Sequence, residues 1–202
     1  MFQLVESVRI ENGKLHHIDL HNNRLNNARK VLWGKTDFVD LEKIIQIPDT
    51  INNQRYKCRV TTDGNQSTFS ITPYIQRQIK TLRIVPFDTI DYTFKTNERT
   101  LLDKAFEMRA GCDDIIIVKK GWITDAWAAN LIFFDGKKWC TPSTPLLRGV
   151  QREYLLSTET IFEKKIQLSD LYCYKKVKLI NALIDFERAP TINVASGIVS
   201  DY

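Results

Sequence analysis

Several functions are ruled out by what this 202-residue chain lacks. Its three histidines, His16, His17 and His21, all fall near the start, and its four cysteines, Cys58, Cys112, Cys140 and Cys173, are scattered. No two cysteines form a CxxC pair, which removes a zinc ribbon and a dithiol redox motif and leaves reduced, dispersed thiols. His17 and His21 stand four apart, a helical spacing that suits a metal ion, but no third ligand accompanies them, so no metal is expected. No apolar run approaches the roughly 18 residues of a membrane span. The start, Met1-Phe2-Gln3-Leu4-Val5-Glu6, has no basic stretch leading into an apolar core, so no signal peptide is expected. A cytoplasmic chain with no membrane partner follows as the expectation. Internal repeats and low-complexity linkers are also missing.

What is present is the balance of a folded protein, with 43% hydrophobic and 26% charged residues. The formal net charge of +5 is mild and dispersed, with no RNA-recognition or helix-turn-helix pattern. That distribution suits a small anionic substrate or cofactor and predicts no nucleic-acid partner.

Hydrophobic periodicity and turn residues divide the chain. Residues 5–10 read as a half-buried strand, Asn12-Gly13 as a hairpin turn, and 15–18 as its return. Asp19 is the expected cap of a helix over 20–32 that Gly34 closes. Asp40 opens a second helix, which Pro48 stops. Strands are expected over 56–62 and 68–73 about the turn Asp63-Gly64-Asn65, and again over 79–85. The best division into two domains falls near residue 88, giving 1–88 and 89–202. In the second half Asp91-Tyr92-Thr93-Phe94-Lys95 reads as a short strand, 96–110 as a helix closed by Gly111, and 115–118 and 130–134 as strands. Gly149 starts a helix reaching 156. Strand 161–166, a helical turn over 168–171 and a strand from 176 ending at Asn181-Ala182 follow. Residues 187–202 show little periodicity and read as a mobile tail.

Four features could carry chemistry. Lys95 ends a run of β-type residues with no carboxylate adjacent to it. A lysine carried into a pocket can lose its proton by desolvation and act as a nucleophile toward a carbonyl, although most lysines are solvated. Asp125 lies between Trp122 and Trp127, where a carboxylate could pair with a ring nitrogen, or simply shape a hairpin. Gly149-Val150-Gln151 at a helix start offers backbone N–H groups to a phosphate. Arg24, on the early helix, could supply a countercharge.

In this order the residues resemble the class IV aminotransferase family, the fold-type IV enzymes that depend on pyridoxal 5'-phosphate (PLP). Val5-Glu6-Ser7-Val8-Arg9-Ile10-Glu11-Asn12-Gly13 is similar to the family's FETxRVxxG leader, and His21-Asn22-Asn23-Arg24-Leu25 to its HxxRL. Gly121-Trp122-Ile123-Thr124-Asp125 with Asn130-Leu131-Ile132-Phe133 is similar to GxxxE....NIF. Thr141-Pro142 with Leu147-Arg148-Gly149-Val150-Gln151-Arg152 is similar to TP....LxGITR. The resemblance runs from about residue 5 to 183. It implies an α+β fold of two domains, an N-terminal α/β sandwich and a C-terminal β-barrel-like domain, and a homodimer. It also implies roles: Lys95 as the lysine that bonds the cofactor aldehyde, and Asp125 as the partner of its ring nitrogen. Arg24, Gly149, Val150, Gln151 and the Asn181-Ala182 turn would hold its phosphate, Asn130 would stand in the cofactor site, and Ser7 and Arg9 on the substrate side.

There are departures. Asp125 stands where the family has glutamate, Gln151 where it has threonine, and Ser7 replaces the leader threonine. The family's glycine-containing stretch before the leader is not in this chain. Among family members the resemblance is nearest to short proteins like 4-amino-4-deoxychorismate lyase, which eliminates pyruvate to give 4-aminobenzoate for folate synthesis. The alternatives are a branched-chain or D-amino-acid aminotransferase, and a degenerate relative that binds PLP without turnover.

Overall fold

The structure, a computed structural model, describes residues 2–200. Its chain divides into two units, one formed by residues 1–76 with 94–98 and the other by 77–93 with 99–202.

The first unit is built on one antiparallel sheet. Its strands are β1 (Leu4–Glu11), β2 (Lys14–Leu15), β3 (Tyr56–Thr62) and β4 (Ser67–Pro73), ordered β2-β1-β3-β4. Helix α1 (Ile18–Trp33) and the single turn α2 (Leu41–Ile44) complete it. One face of the sheet meets the helices in a core of Leu4, Val8, Ile10, Leu25, Ala28, Leu41, Cys58 and Val60. At period two, Leu4, Val8 and Ile10 lie on one side of β1, and this side carries the core. Asn12 and Gly13 both have positive φ, 53° and 67°, the geometry of a two-residue hairpin turn.

Three expectations change here. The return strand spans only Lys14–Leu15, because His17 adopts a left-handed conformation (φ 55°) that turns the chain into α1. Helix α1 therefore starts at Ile18, with Asp19 inside its first turn rather than capping it. Asp40 does cap α2, accepting from the Glu42 N–H at 3.1 Å, but the helix stops after one turn. Gly34 ends α1 with φ 66° and its N–H returned to Lys30 O.

The second unit holds two open sheets. One orders β13 (Ile198–Val199), β5 (Leu82–Pro86), β6 (Asp114–Lys119) and β7 (Trp122–Ile123); the other orders β10 (Phe162–Lys164), β9 (Trp139–Pro142), β8 (Asn130–Phe134), β11 (Lys176–Ile180) and β12 (Thr191–Asn193). Helices α3 (Thr100–Glu107), α4 (Val150–Ser157) and α5 (Val194–Gly197), with a 3-10 turn over Leu168–Cys173, connect them. The mixed α/β class is as expected, while the barrel-like part takes the form of these two open sheets, with no closed barrel among the described residues. Ile116, Val118, Leu131, Phe133, Val177 and Leu179 form the main core of the unit. The continuous apolar runs of β6 and β8 are buried nearly throughout, as expected of strands covered on both faces.

Further expectations change in this part. The segment 91–95 is not a strand: Asp91 Oδ1 accepts from Thr93 N (3.2 Å) and Thr93 Oγ1 (2.8 Å), an Asx turn that breaks the extended run. Residues 95–97 then pair with β1, so helix α3 begins only at Thr100. This pairing also attaches 94–98 to the first unit. The tail is ordered through Ser200: β12 pairs with β11, and β13 lies parallel to β5, with Ile192 and Val194 buried. Residues 201 and 202 lie outside the described residues.

Candidate active site

In the first unit, Lys95 is fixed by backbone rather than by a strand of its own. Val5 N donates to Lys95 O at 2.8 Å, Asn97 N donates to Gln3 O at 2.9 Å, and Leu4 and Thr96 form an antiparallel bridge. Phe94 packs against the apolar cluster beneath the sheet. Its neighbour Lys95 is half-buried and stands opposite Val5. Alternation places it on the side of β1 that carries Ser7 and Arg9.

Beneath the sheet lies a charged network in an apolar setting. Glu6 shares a face with Leu4, Val8 and Ile10 and is 2% exposed. Its carboxylate accepts from Arg24 Nε at 2.9 Å and Nη2 at 2.5 Å, and from His21 Nδ1 at 2.6 Å. His21 and Arg24 are three apart on α1, so one helical face delivers both. Burial by itself would raise the Glu6 pKa, but the Arg24 charge and the hydrogen bonds from His21 and Arg24 outweigh it and bring it down to about 2. His21 is driven the other way by burial, so its imidazole stays neutral, with Nε2 enclosed and without a partner. Arg24, 18% exposed, is thus a cation held in a fixed orientation by a carboxylate behind it.

In the second unit, Asp125 follows β7 and Asn130 opens β8. Asp125 is 5% exposed. Its Oδ1 accepts from Asn130 Nδ2 at 2.6 Å, and its Oδ2 from the backbone N–H of Leu146 (2.6 Å) and Leu147 (3.0 Å). Asn130 Nδ2 also donates to Leu147 O at 2.8 Å. Together the two side chains clamp the loop that leads into α4. Burial pushes the Asp125 carboxyl up to about 6, against the hydrogen bonds that favour its charged form.

Gly149 sits at the N-cap of α4, and no side chain caps the helix. A Cβ at Gly149 would collide with Asn130 Oδ1, so only glycine lets the loop close on that amide. The first N–H groups of α4, at Val150 and Gln151, are therefore donors with no intrahelical acceptor. The Gln151 side chain is buried, and its Oε1 has no partner. Asn181 fixes the turn after β11, accepting from Leu183 N at 2.9 Å, and Ala182 beside it is half-buried.

These residues can be tested for fit to a phosphorylated aldehyde cofactor. In the first unit the clamped Arg24 suits a phosphate and the half-buried Lys95 an aldehyde; in the second, taken by itself, the uncapped start of α4 suits a phosphate. Asp125 fits less freely: three of its roughly four acceptor positions are already taken. Sequence reasoning missed the Glu6–His21 pair. Its signal was present, since a carboxylate at an apolar-face position of β1 has to be paired.

A sequence profile described as amino-transferase class IV matches residues 3–188. A protein of Haemophilus influenzae, described as "uncharacterized", is 37% identical over 185 residues, which is 91% of this chain and 98% of that protein. The crystal structure of a "putative 4-amino-4-deoxychorismate lyase" from Haemophilus somnus superposes with a TM-score of 0.86 at 34% identity, covering 91% of this chain and 97% of that one. A "hypothetical aminotransferase" from Mycobacterium tuberculosis in a PLP-bound form shares the fold, with a TM-score of 0.75 at 14% identity over 94% of this chain and 80% of that one.

Proposed function

The chain belongs to the class IV aminotransferase family, which is PLP-dependent, and from that premise we propose that it is a PLP-dependent lyase acting on 4-amino-4-deoxychorismate or a closely similar anionic amino compound. The observation that carries the proposal is Lys95, half-buried, its carbonyl held by the Val5 N–H of β1, in the unit that also holds the clamped Arg24. The lyase reading is favoured by the likeness in sequence and length to the Haemophilus somnus protein.

PLP, when bound, supplies an aldehyde that condenses with amines and a ring that takes up the electrons released at the neighbouring carbon. Lys95 would hold the aldehyde and would serve as the base that moves the substrate proton. In the first unit Arg24, oriented by Glu6, would offer its charge to a phosphate; in the second, the N–H groups of Val150 and Gln151 and the Asn181-Ala182 turn would offer theirs. Asn130 and Asp125 hold the loop that presents those N–H groups, and the remaining acceptor position of Asp125 is what it can offer to a ring N–H. Ser7 and Arg9 face the substrate. Pyruvate and 4-aminobenzoate are the products, and the working form is a cytoplasmic homodimer.

The second reading, an amino-acid aminotransferase, uses the same residues and is favoured by the family match itself. Purified protein supplied with PLP will take on the absorbance of the bound cofactor, and borohydride will fix it to Lys95 but not to a Lys95→Ala variant. Turnover of aminodeoxychorismate against a panel of amino and keto acids separates the two readings. Protein that stays colourless and is not labelled at Lys95 overturns both.

A further inference from the structure

The face of the first sheet opposite the helices is cationic. In the β1–β3 register Arg9 stands directly opposite Lys57 and Ser7 opposite Arg59; across β3–β4, Arg59 meets Ser70 and Lys57 meets Thr72. Cross-strand partners project to one side, so Arg9, Lys57 and Arg59 share a surface bordered by hydroxyls. Arg55, just before β3, reaches the same edge and gives Nη2 to both oxygens of Glu11 at 3.0 Å. Arg9 also leans on Glu11, at 3.8 Å, and on His16 Nδ1 at 2.9 Å. Glu11 thus faces two of these four cations, Arg9 and Arg55.

Two features make this surface a site rather than a solvated edge. Like charges placed directly opposite on neighbouring strands destabilise a sheet, and Arg9 against Lys57 is such a pair. Arg59 and Lys57 are half-buried, yet neither side chain has a hydrogen bond or ion pair among the described residues. Half-buried cations without a counterion gain from an anion that arrives from solution. Lys95 stands on the same side of β1, opposite Val5.

We propose that Arg59 and Lys57, with Arg9 behind them, form a carboxylate-reading surface that selects amino substrates carrying a second carboxylate. The proposal rests on the assignment of Lys95 as the reacting amine, since that assignment makes the bound anion a substrate. Arg59 offers a planar fork for bidentate pairing and Lys57 a point charge beside it. Ser7 and Ser70, on either side of Arg59, offer hydroxyl donors.

The test is calorimetric titration of the purified full chain with glutarate, butyrate and inorganic phosphate. Four proteins are compared: wild type, Arg59→Gln, Lys57→Gln and Lys95→Ala. Glutarate will bind more tightly than butyrate, and more weakly as salt rises. Arg59→Gln and Lys57→Gln will each weaken glutarate about tenfold or more, the size expected for one charged hydrogen bond. Thermal unfolding of both variants will be unchanged or shifted upward, because each relieves repulsion. Lys95→Ala will keep glutarate binding, so the surface can be established even if the protein takes up no PLP and the enzymatic reading falls. Glutarate binding no tighter than butyrate overturns the proposal, as does glutarate binding that both variants leave unchanged. Phosphate losing affinity in parallel with glutarate in those variants also overturns it, because the surface would then be a general anion site.

Discussion

The Asp125 clamp makes a prediction whose size and sign can be worked out. Burial raises this carboxyl from 3.8 to about 6. A raised carboxyl pKa means that the folded chain holds the proton more tightly than the unfolded chain. Between those two values the folded state is protonated at this site and the unfolded state is not, so stability falls as pH rises. At about 1.4 kcal/mol for each pH unit, the fall from pH 3.8 to pH 6 is about 3 kcal/mol. Asp125→Asn has nothing to titrate here and lacks that slope. It will still lose some stability at every pH, because its amide cannot accept from Asn130 and both backbone N–H groups at once. Urea unfolding followed by tryptophan fluorescence suits the measurement, since Trp122 and Trp127 flank the site. Wild type and Asp125→Asn are compared at half-unit steps from pH 3.5 to 7.5. Subtracting the two profiles cancels every other titrating group. The wild-type advantage will shrink by about 3 kcal/mol as pH rises from 3.8 to 6. Parallel profiles would refute the argument, and an advantage that grows with pH would show that hydrogen bonding, not burial, controls this carboxylate.

Other outcomes follow from the same geometry. Glu6→Gln leaves Arg24 charged and His21 enclosed without a carboxylate, and will cost about 3–5 kcal/mol in urea unfolding at pH 7. The Glu6 contribution is present above its ordinary value of 4.5 and is lost as pH falls toward about 2, so wild type and Glu6→Gln will converge in acid. Gly149→Ala forces a methyl against Asn130 and will destabilise by about 1–3 kcal/mol, with weakened phosphate binding by titration, because α4 must move. Phe133→Ala removes a fully buried ring tilted against Tyr174 and will cost about 3–5 kcal/mol, with no change in borohydride labelling of Lys95.

The sequence shows the elements whose signals are local. Strand β3 and the long strand of the second hairpin, β8, stand within their expected bounds, because alternation, apolar runs and Asx-Gly turns act over a few neighbours. The order of motifs also carries the family. Long-range pairing is harder to read. Nothing near Lys95 announces that 95–97 will bond to β1, some ninety residues earlier, so 91–95 reads as a short strand where the fold makes an Asx turn. Residues 191–199 look aperiodic because each piece is only two to four residues long and gains its stability from β11 and β5. Asp125 shows the same limit in the site. Its type and place point to a partner for a ring nitrogen, and its hydrogen bonds to Leu146 and Leu147 depend on a loop closure that one segment cannot reveal.

The short return of 94–98 to the first unit has a consequence for assembly. The polypeptide passes between the units three times, after residues 76, 93 and 98. Two copies of a molecule can trade a lobe readily when one hinge joins it to the rest. Here a trade would need three connections to open together, and would pull the segment of Lys95 out of its sheet. Such threading disfavours the exchange of a lobe between copies and keeps Lys95 in one unit with Arg24 of its own chain.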